Sequence, residues 1–192
     1  MTKNVIFTGV GGQGVILASK VLIDVAIRAG FDIMESEVHG MAQGGGSVNC
    51  HVRYGEKVYS PLIPLGSADY IVSFELLESL REIQYLSENG RLLVNRARID
   101  PAPVATGSME YPDDIEEWLT QNIKGSIILD TQGALKEAGS PKSLNIVMLG
   151  ALSTFLGFSE EERKTALKSA VKEKLLDTSL KAFDIGRKLI TT

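Results

Sequence analysis

The 192-residue chain carries 20 Lys and Arg against 24 Asp and Glu, a net charge of −4, with 44% hydrophobic and 23% charged residues. That balance predicts one globular domain over residues 1–192 with a real core, and it offers nucleic acid neither a global attraction nor a local basic run. One cysteine and two histidines exclude an internal disulfide, a four-thiolate iron–sulfur cluster and a Cys/His zinc site, so no metal site is expected in this chain. No apolar stretch is long enough to span a bilayer, and the first residues lack a signal peptide's pattern; with the lone cysteine, this predicts a cytoplasmic protein.

The first thirty residues organise the rest. Asn4 to Thr8 is a short apolar run suited to a buried parallel strand. It breaks into Gly9-Val-Gly-Gly-Gln-Gly14, a GxGxxG loop with one extra glycine, and a helical pattern follows from Val15 to Ala29. The helix is apolar nearly all round, with one polar stripe at Lys20, Asp24 and Arg28, and Gly30 stands where a C-terminal cap belongs. Backbone N–H groups and the positive end of the helix dipole at a glycine-lined surface favour an anion, phosphate above all. A tight turn with close strand–helix packing is the competing use of the same glycines.

Phe31 to Val38 reads as a second strand, with Glu35 and Glu37 near its end. Glu35 lies somewhat too far past the loop for the ribose-binding acid of a dinucleotide fold, and a solvated strand-end carboxylate is the preferred reading. His39-Gly-Met-Ala-Gln-Gly-Gly-Gly-Ser47 then forms an irregular loop, because its three consecutive glycines suit neither helix nor strand. A second glycine-rich loop at a strand's carboxyl end points to a site where the two loops converge, with His39 and Gln43 as its polar side chains.

Val48, Cys50, Val52 and Tyr54 alternate with Asn49, His51 and Arg53. Together with a turn at Tyr54–Lys57 and a return at Val58–Ser60, this predicts an antiparallel hairpin with Cys50 buried and inert and His51 on the exposed face. A strand at Asp69–Phe74, a helix at Leu76–Ser87, a turn at Asn89-Gly90 and a strand at Arg91–Asn95 follow. Residues 96–111, with prolines and few periodic apolar positions, read as loop, a short edge strand within it staying open; Pro112 opens a helix, Gly125–Asp130 is the last strand, and Thr131–Ala138 is a helix stopped at Gly139. Beyond it lie a wholly apolar helix from Asn145, a capping box at Ser159-Glu-Glu-Glu162 and a final helix from Asp177 whose contacts are Leu180, Phe183, Leu189 and Ile190. The sum is a layered, Rossmann-like α/β domain: a mostly parallel sheet, an inserted antiparallel hairpin and C-terminal helices.

Gly9-Val-Gly-Gly-Gln-Gly14, Ser36-Glu-Val-His-Gly-Met-Ala-Gln43, Gly45-Gly-Ser-Val48, Ala68-Asp69 with Phe74-Glu75, and Asn145 with Leu149-Gly-Ala-Leu152 together resemble the gamma subunit of the 2-oxoacid:ferredoxin oxidoreductases. The match is nearest the indolepyruvate (beta-subunit) and 2-oxoglutarate (gamma-subunit) types and runs over essentially the whole chain. The resemblance implies a subunit of an enzyme that converts a 2-oxo acid to an acyl-coenzyme A and reduces ferredoxin. It also implies thiamine diphosphate and iron–sulfur clusters on partner subunits, and no catalytic residue in this chain. It further implies coenzyme A as the ligand of this domain, held by Gly9, Gly11, Gly12, Gln13 and Gly14 and closed over by His39, Gln43, Gly44, Gly45 and Gly46. Related subunits often carry arginine where this chain has Gly44. Weaker anion binding, substitution by Arg53 or Lys57, and a loop devoted to subunit contact all stay open at this point. So do a stand-alone NAD(P)-dependent enzyme, an assembly module whose glycines serve packing alone, and a homodimer.

Overall fold

The computed structural model describes residues 2–39 and 45–191, with the backbone alone at residue 39. The chain runs β1 (Lys3–Val10), α1 (Val15–Arg28), β2 (Asp32–His39), β3 (Ser47–Gly55), β4 (Ala68–Ser73), α2 (Leu76–Glu82), β5 (Leu86–Asn95), α3 (Ala102–Ala105), α4 (Ile115–Asn122), β6 (Ser126–Leu129), α5 (Gln132–Ala138), α6 (Leu144–Ser153), α7 (Glu160–Ala170) and α8 (Leu176–Thr191).

Six strands form one sheet in the order β2-β3-β1-β4-β5-β6. The strands β1, β4, β5 and β6 pair in parallel, while β3 runs antiparallel to both β1 and β2. The expected mostly parallel α/β sheet with an antiparallel pair is thus present. Continuous burial along β1 fits its central position, since helices cover both faces. Val5, Phe7, Val52, Val72 and Leu93 pack on one face against α1, α6 and α8; Ile6, Ile71, Leu92 and Val94 pack on the other with Ile115 and Leu119 of α4.

The hairpin differs from the expected one. Its arms are β2 and β3, joined through the second glycine-rich segment, and Val58–Ser60 is not a strand. The alternation of β3 is real, but its polar face is covered as well. His51 is only 6% exposed, with Nδ1 accepting from the Ile63 N–H (3.3 Å) and its ring edge-on to Tyr85. Arg53 donates to Asn4 Oδ1 and to the carbonyls of Ser60 and Leu62, which holds residues 60–63 as an irregular strap over that face.

Three boundaries also move. α2 ends at Glu82, and Asn89-Gly90 lies inside β5, where the register against β4 slips between Ala68 and Tyr70. A Cβ on Gly90 would stand 2.7 Å from the Ala68 carbonyl, so glycine permits this bulge. Residues 102–105 form a one-turn helix behind Pro101, and α4 starts at Ile115 rather than at Pro112.

Two glycines set the packing of the C-terminal helices. A Cβ on Gly150 of α6 would fall 2.1 Å from the Phe183 carbonyl, and one on Gly186 of α8 would fall 1.9 Å from the Val147 carbonyl. The two backbones therefore meet directly, and α6, buried along its whole length, is pressed into the sheet.

Candidate functional site

The carboxyl ends of β1, β4 and β5 are joined by side chains. Gln13 Oε1 accepts from the Val10 N–H (2.7 Å), and Gln13 Nε2 donates to the Phe74 carbonyl (2.8 Å). That carbonyl also accepts from Asn95 Nδ2 (3.0 Å), and Asn95 Oδ1 accepts from the Thr131 hydroxyl (2.8 Å). The first glycine loop is in this way fixed to the ends of the parallel strands and to the start of α5. Gln13, expected as a ligand contact, has both ends of its amide engaged with backbone, and its role here is to hold the loop.

The glycines of the loop divide into two kinds. A Cβ on Gly9 would lie 2.8–3.0 Å from Gln13, Phe74 and Val15; one on Gly14 would lie 2.7 Å from Asn145 Nδ2, at a φ of +81°. Both are held by packing. Gly12, at φ +102°, has open space where a Cβ would be, and Gly11 would meet only the Gly45 and Gly46 backbone at 3.6 Å. The two glycine-rich segments meet directly, since the Gly11 N–H donates to the Gly46 carbonyl (2.8 Å). α1 begins at Gly14 without a side-chain cap and without an acid in its first turn, so its leading N–H groups carry the positive end of the dipole unneutralised by protein.

Gln43 and Gly44 lie outside the described residues, as does the side chain of His39. Arg53 and Lys57, the candidate substitutes for the missing arginine, stand at the wrong end. β3 runs antiparallel to β1, so Ser47 faces Val10 at the loop end while Arg53 faces Asn4 at the amino end. Lys57 pairs with Asp32, also at that end (3.0 Å). Neither reaches the glycine loops, and an anion there would be met by backbone donors.

Below the second loop lies a polar cluster that sequence reasoning missed. The Ser47 hydroxyl donates to Glu78 Oε2 (2.5 Å), Asn49 Nδ2 donates to Glu82 Oε1 (2.9 Å), and Arg81 pairs with Glu78. Thr8 Oγ1, Asn49 Oδ1 and Glu82 Oε2 are buried there without a partner. Burial pushes the Glu78 carboxyl above the usual carboxylate range, and Glu75 and Glu82 add to that. The signal was present as polar residues at Ser47 and Asn49 with carboxylates one helical turn apart on α2. Glu75, at the end of β4, accepts from the N–H groups of Glu78 (3.0 Å) and Ile99 (3.1 Å) and from the Tyr111 hydroxyl (2.6 Å), which anchors residues 96–111 beside this edge.

On the α1 face of the hairpin, Glu35, Glu37 and Cys50 bring three ligand-type atoms within 4.8 Å of one another. Glu35 is half-buried and accepts from the Ser19 hydroxyl (3.2 Å), so it is not the solvated carboxylate expected. Burial and the neighbouring Glu37 raise its pKa. Burial pushes the Cys50 thiol up to about 11, which makes it a packed, unreactive sulfur as expected.

The family model for pyruvate ferredoxin/flavodoxin oxidoreductase matches residues 4–189. Indolepyruvate oxidoreductase subunit IorB of Thermococcus kodakarensis is 40% identical over 190 residues, covering 96% of this chain and 94% of that protein. The 2-oxoglutarate synthase subunit KorC of Methanothermobacter marburgensis is 30% identical, with 99% and 97% covered. Among solved structures, the keto/oxoacid ferredoxin oxidoreductase gamma subunit of Geobacter sulfurreducens shares the fold at TM-score 0.75 and 22% identity, covering 100% of this chain and 97% of that one. The 2-oxoglutarate:ferredoxin oxidoreductase of Magnetococcus marinus, solved with 2-oxoglutarate, coenzyme A and succinyl-CoA bound, shares it at TM-score 0.76 and 22% identity, over 99% of this chain and 31% of that one. The curated relatives are subunits of oxidoreductases, which sets aside the stand-alone NAD(P) enzyme. Glycine loop, mixed sheet and relatives agree: the chain belongs to the pyruvate ferredoxin/flavodoxin oxidoreductase family, as a gamma-type subunit.

Proposed function

We propose that this gamma-type subunit receives coenzyme A at its two glycine loops, inside a complex whose other subunits carry thiamine diphosphate and iron–sulfur clusters. The observation that carries the reading is the meeting of Gly11 with Gly46 beside the uncapped start of α1, where a Gly12 Cβ would find only open space. Phosphate oxygens suit that surface, because backbone N–H groups approach them closely and the helix dipole favours their charge. The bound coenzyme A in the Magnetococcus marinus enzyme supports the same ligand here.

In the overall reaction a 2-oxo acid and coenzyme A give an acyl-coenzyme A, carbon dioxide and a proton, and two electrons pass to two ferredoxins. Bond cleavage and electron transfer belong to the partner subunits. The Gly12 backbone and the first turn of α1 would hold the phosphates, while the Gly11–Gly46 hydrogen bond, Gln13, Asn95 and Asn145 keep the loops in place. A one-cysteine chain supplies no cluster.

Purification of the native complex through a tag on this chain, followed by a ferredoxin-reduction assay with a panel of 2-oxo acids, tests the reading. Co-purified thiamine and iron–sulfur subunits with coenzyme-A-dependent turnover are expected. A chain recovered alone and inactive would overturn it.

A further inference from the structure

The opposite end of the sheet holds a cavity of about 430 Å³, far from the glycine loops. At the amino end of the strands, Lys3 faces Tyr54 across β1 and β3, and Tyr70 stands two residues along on the same side, opposite Val5. Phe31, Tyr54 and Phe158 form one wall, with ring centroids 5.5–6.2 Å apart. Tyr70 and Phe155 stack as the other wall, their planes 24° apart, with the Arg91 guanidinium 4.6 Å from the Phe155 ring centre. A slot of this volume between aromatic faces is the size and character of a small-molecule site.

The polar groups decide what fits. Tyr54 lines the slot, and its hydroxyl, reached by solvent, makes no hydrogen bond among the described residues. The Tyr70 hydroxyl is already donating to the Phe155 carbonyl (3.1 Å). Both carboxylates nearby are occupied: Glu162 accepts from the Ser159 N–H and hydroxyl, and Asp69 accepts from the Asn4 N–H and Lys3. What remains is a donor hydroxyl and the spare N–H groups of a half-exposed ammonium. Those donors suit the oxygens of an anion.

We propose that this slot binds a planar aromatic carboxylate, its ring between the two aromatic walls and its carboxylate on Tyr54 and Lys3. The site is separate from the glycine loops and does not depend on what those loops hold. Nothing in it acts as a catalyst; it is a binding site from which a ligand would reach the other edge only through the sheet.

Calorimetric titration of the full-length chain, and of the complex that contains it, with 2-naphthoate is the test. Saturable binding at one site per chain is expected for both. Tyr54→Phe should weaken it about tenfold, the worth of a charge-assisted hydrogen bond, without moving the melting temperature, since that hydroxyl has no protein partner to lose. Gly157→Phe should abolish binding: Gly157 lines the slot and has open space where a Cβ would be, so the new ring can enter the cavity. Gly11→Ala should leave 2-naphthoate binding unchanged. Absence of saturable binding would overturn the proposal, as would equal binding by the Tyr54→Phe protein or preference for naphthyl-trimethylammonium. Binding by the free chain but not by the complex would also overturn it, because the slot would then be a seat for a partner subunit.

Discussion

Gly9 and Gly14 stand at the two ends of the first glycine loop, and Gly11 and Gly12 in its middle. At the ends a Cβ would strike Gln13, Phe74 or Asn145; in the middle it would meet open space or backbone at ordinary contact distance. One motif thus does two jobs. The outer glycines let a strand, a helix and α6 close on one another, and of the inner ones Gly11 ties the two glycine segments together while Gly12 faces open space. Packing and ligand binding, which compete as explanations of such motifs, would under the proposed function fall to different residues and can be separated by substitution.

The largest effect should come from beneath the packed half of the loop. Gly186→Ala would put a Cβ 1.9 Å from the Val147 carbonyl and force α8 away from α6, which carries Asn145. A loss of about 3 kcal/mol or more is expected, at the upper end for overpacking. A chemical-denaturation midpoint close to wild type would show that the helices can separate at little cost. Gly14→Ala adds both a clash with Asn145 and an alanine at φ +81°, for a loss of about 2–3 kcal/mol read by the same measurement.

Gly11→Ala should break the comparison if it is wrong. Its φ is not positive and its Cβ has room, so stability should change by no more than about 0.5 kcal/mol. The KM for coenzyme A in the complex should nevertheless rise about tenfold, as expected when one phosphate contact is obstructed. An unchanged KM would assign this glycine to packing after all.

Chemistry near the loops should be quieter. With its thiol raised to about 11, Cys50 should react with a disulfide reagent at pH 8 at least about a hundredfold slower than a free thiol, which is the ratio of thiolate fractions. Rapid labelling of the folded protein would mean that the hairpin opens from α1.

The smallest effect concerns Glu78. Its folded pKa lies above the ordinary 4.5, so the charged form is the disfavoured one. The stabilisation from protonating it is complete below the unfolded pKa and is lost as pH rises through the folded one. Between pH 7 and pH 4.5, wild type should therefore gain stability relative to Glu78→Gln as the pH falls, and a constant difference would remove Glu78 as the cause.

What the amino-acid order revealed was local. The apolar run of β1, the glycine loop, the unbroken apolar face of α6 and the Ser159 capping box all lie within a few residues of their own causes. The partners of β3 did not, because an alternating strand reports which face is buried but not which strand lies beside it. His51 was misplaced for the same reason: residues 60–63 cover the face assumed to meet water. The cluster of Ser47, Asn49, Glu78 and Glu82 joins β3 to α2; each half shows in its own spacing, but nothing in the chain announces that the two elements meet. Gly150 and Gly186 are the plainest case, since a glycine inside a helix reads as a weakness of that helix and here marks where two backbones touch. At the candidate site, the nearness of two glycine segments was legible, while the engagement of Gln13 with backbone was not.

The contact between Asn145 and Gly14 also orders events during synthesis. The glycine loop leaves the ribosome among the first residues, but the side chain that seats its last glycine emerges only in the final quarter of the chain, and α8, which wedges α6 into place, comes last of all. A nascent chain therefore carries the loop's sequence long before it carries the loop's shape.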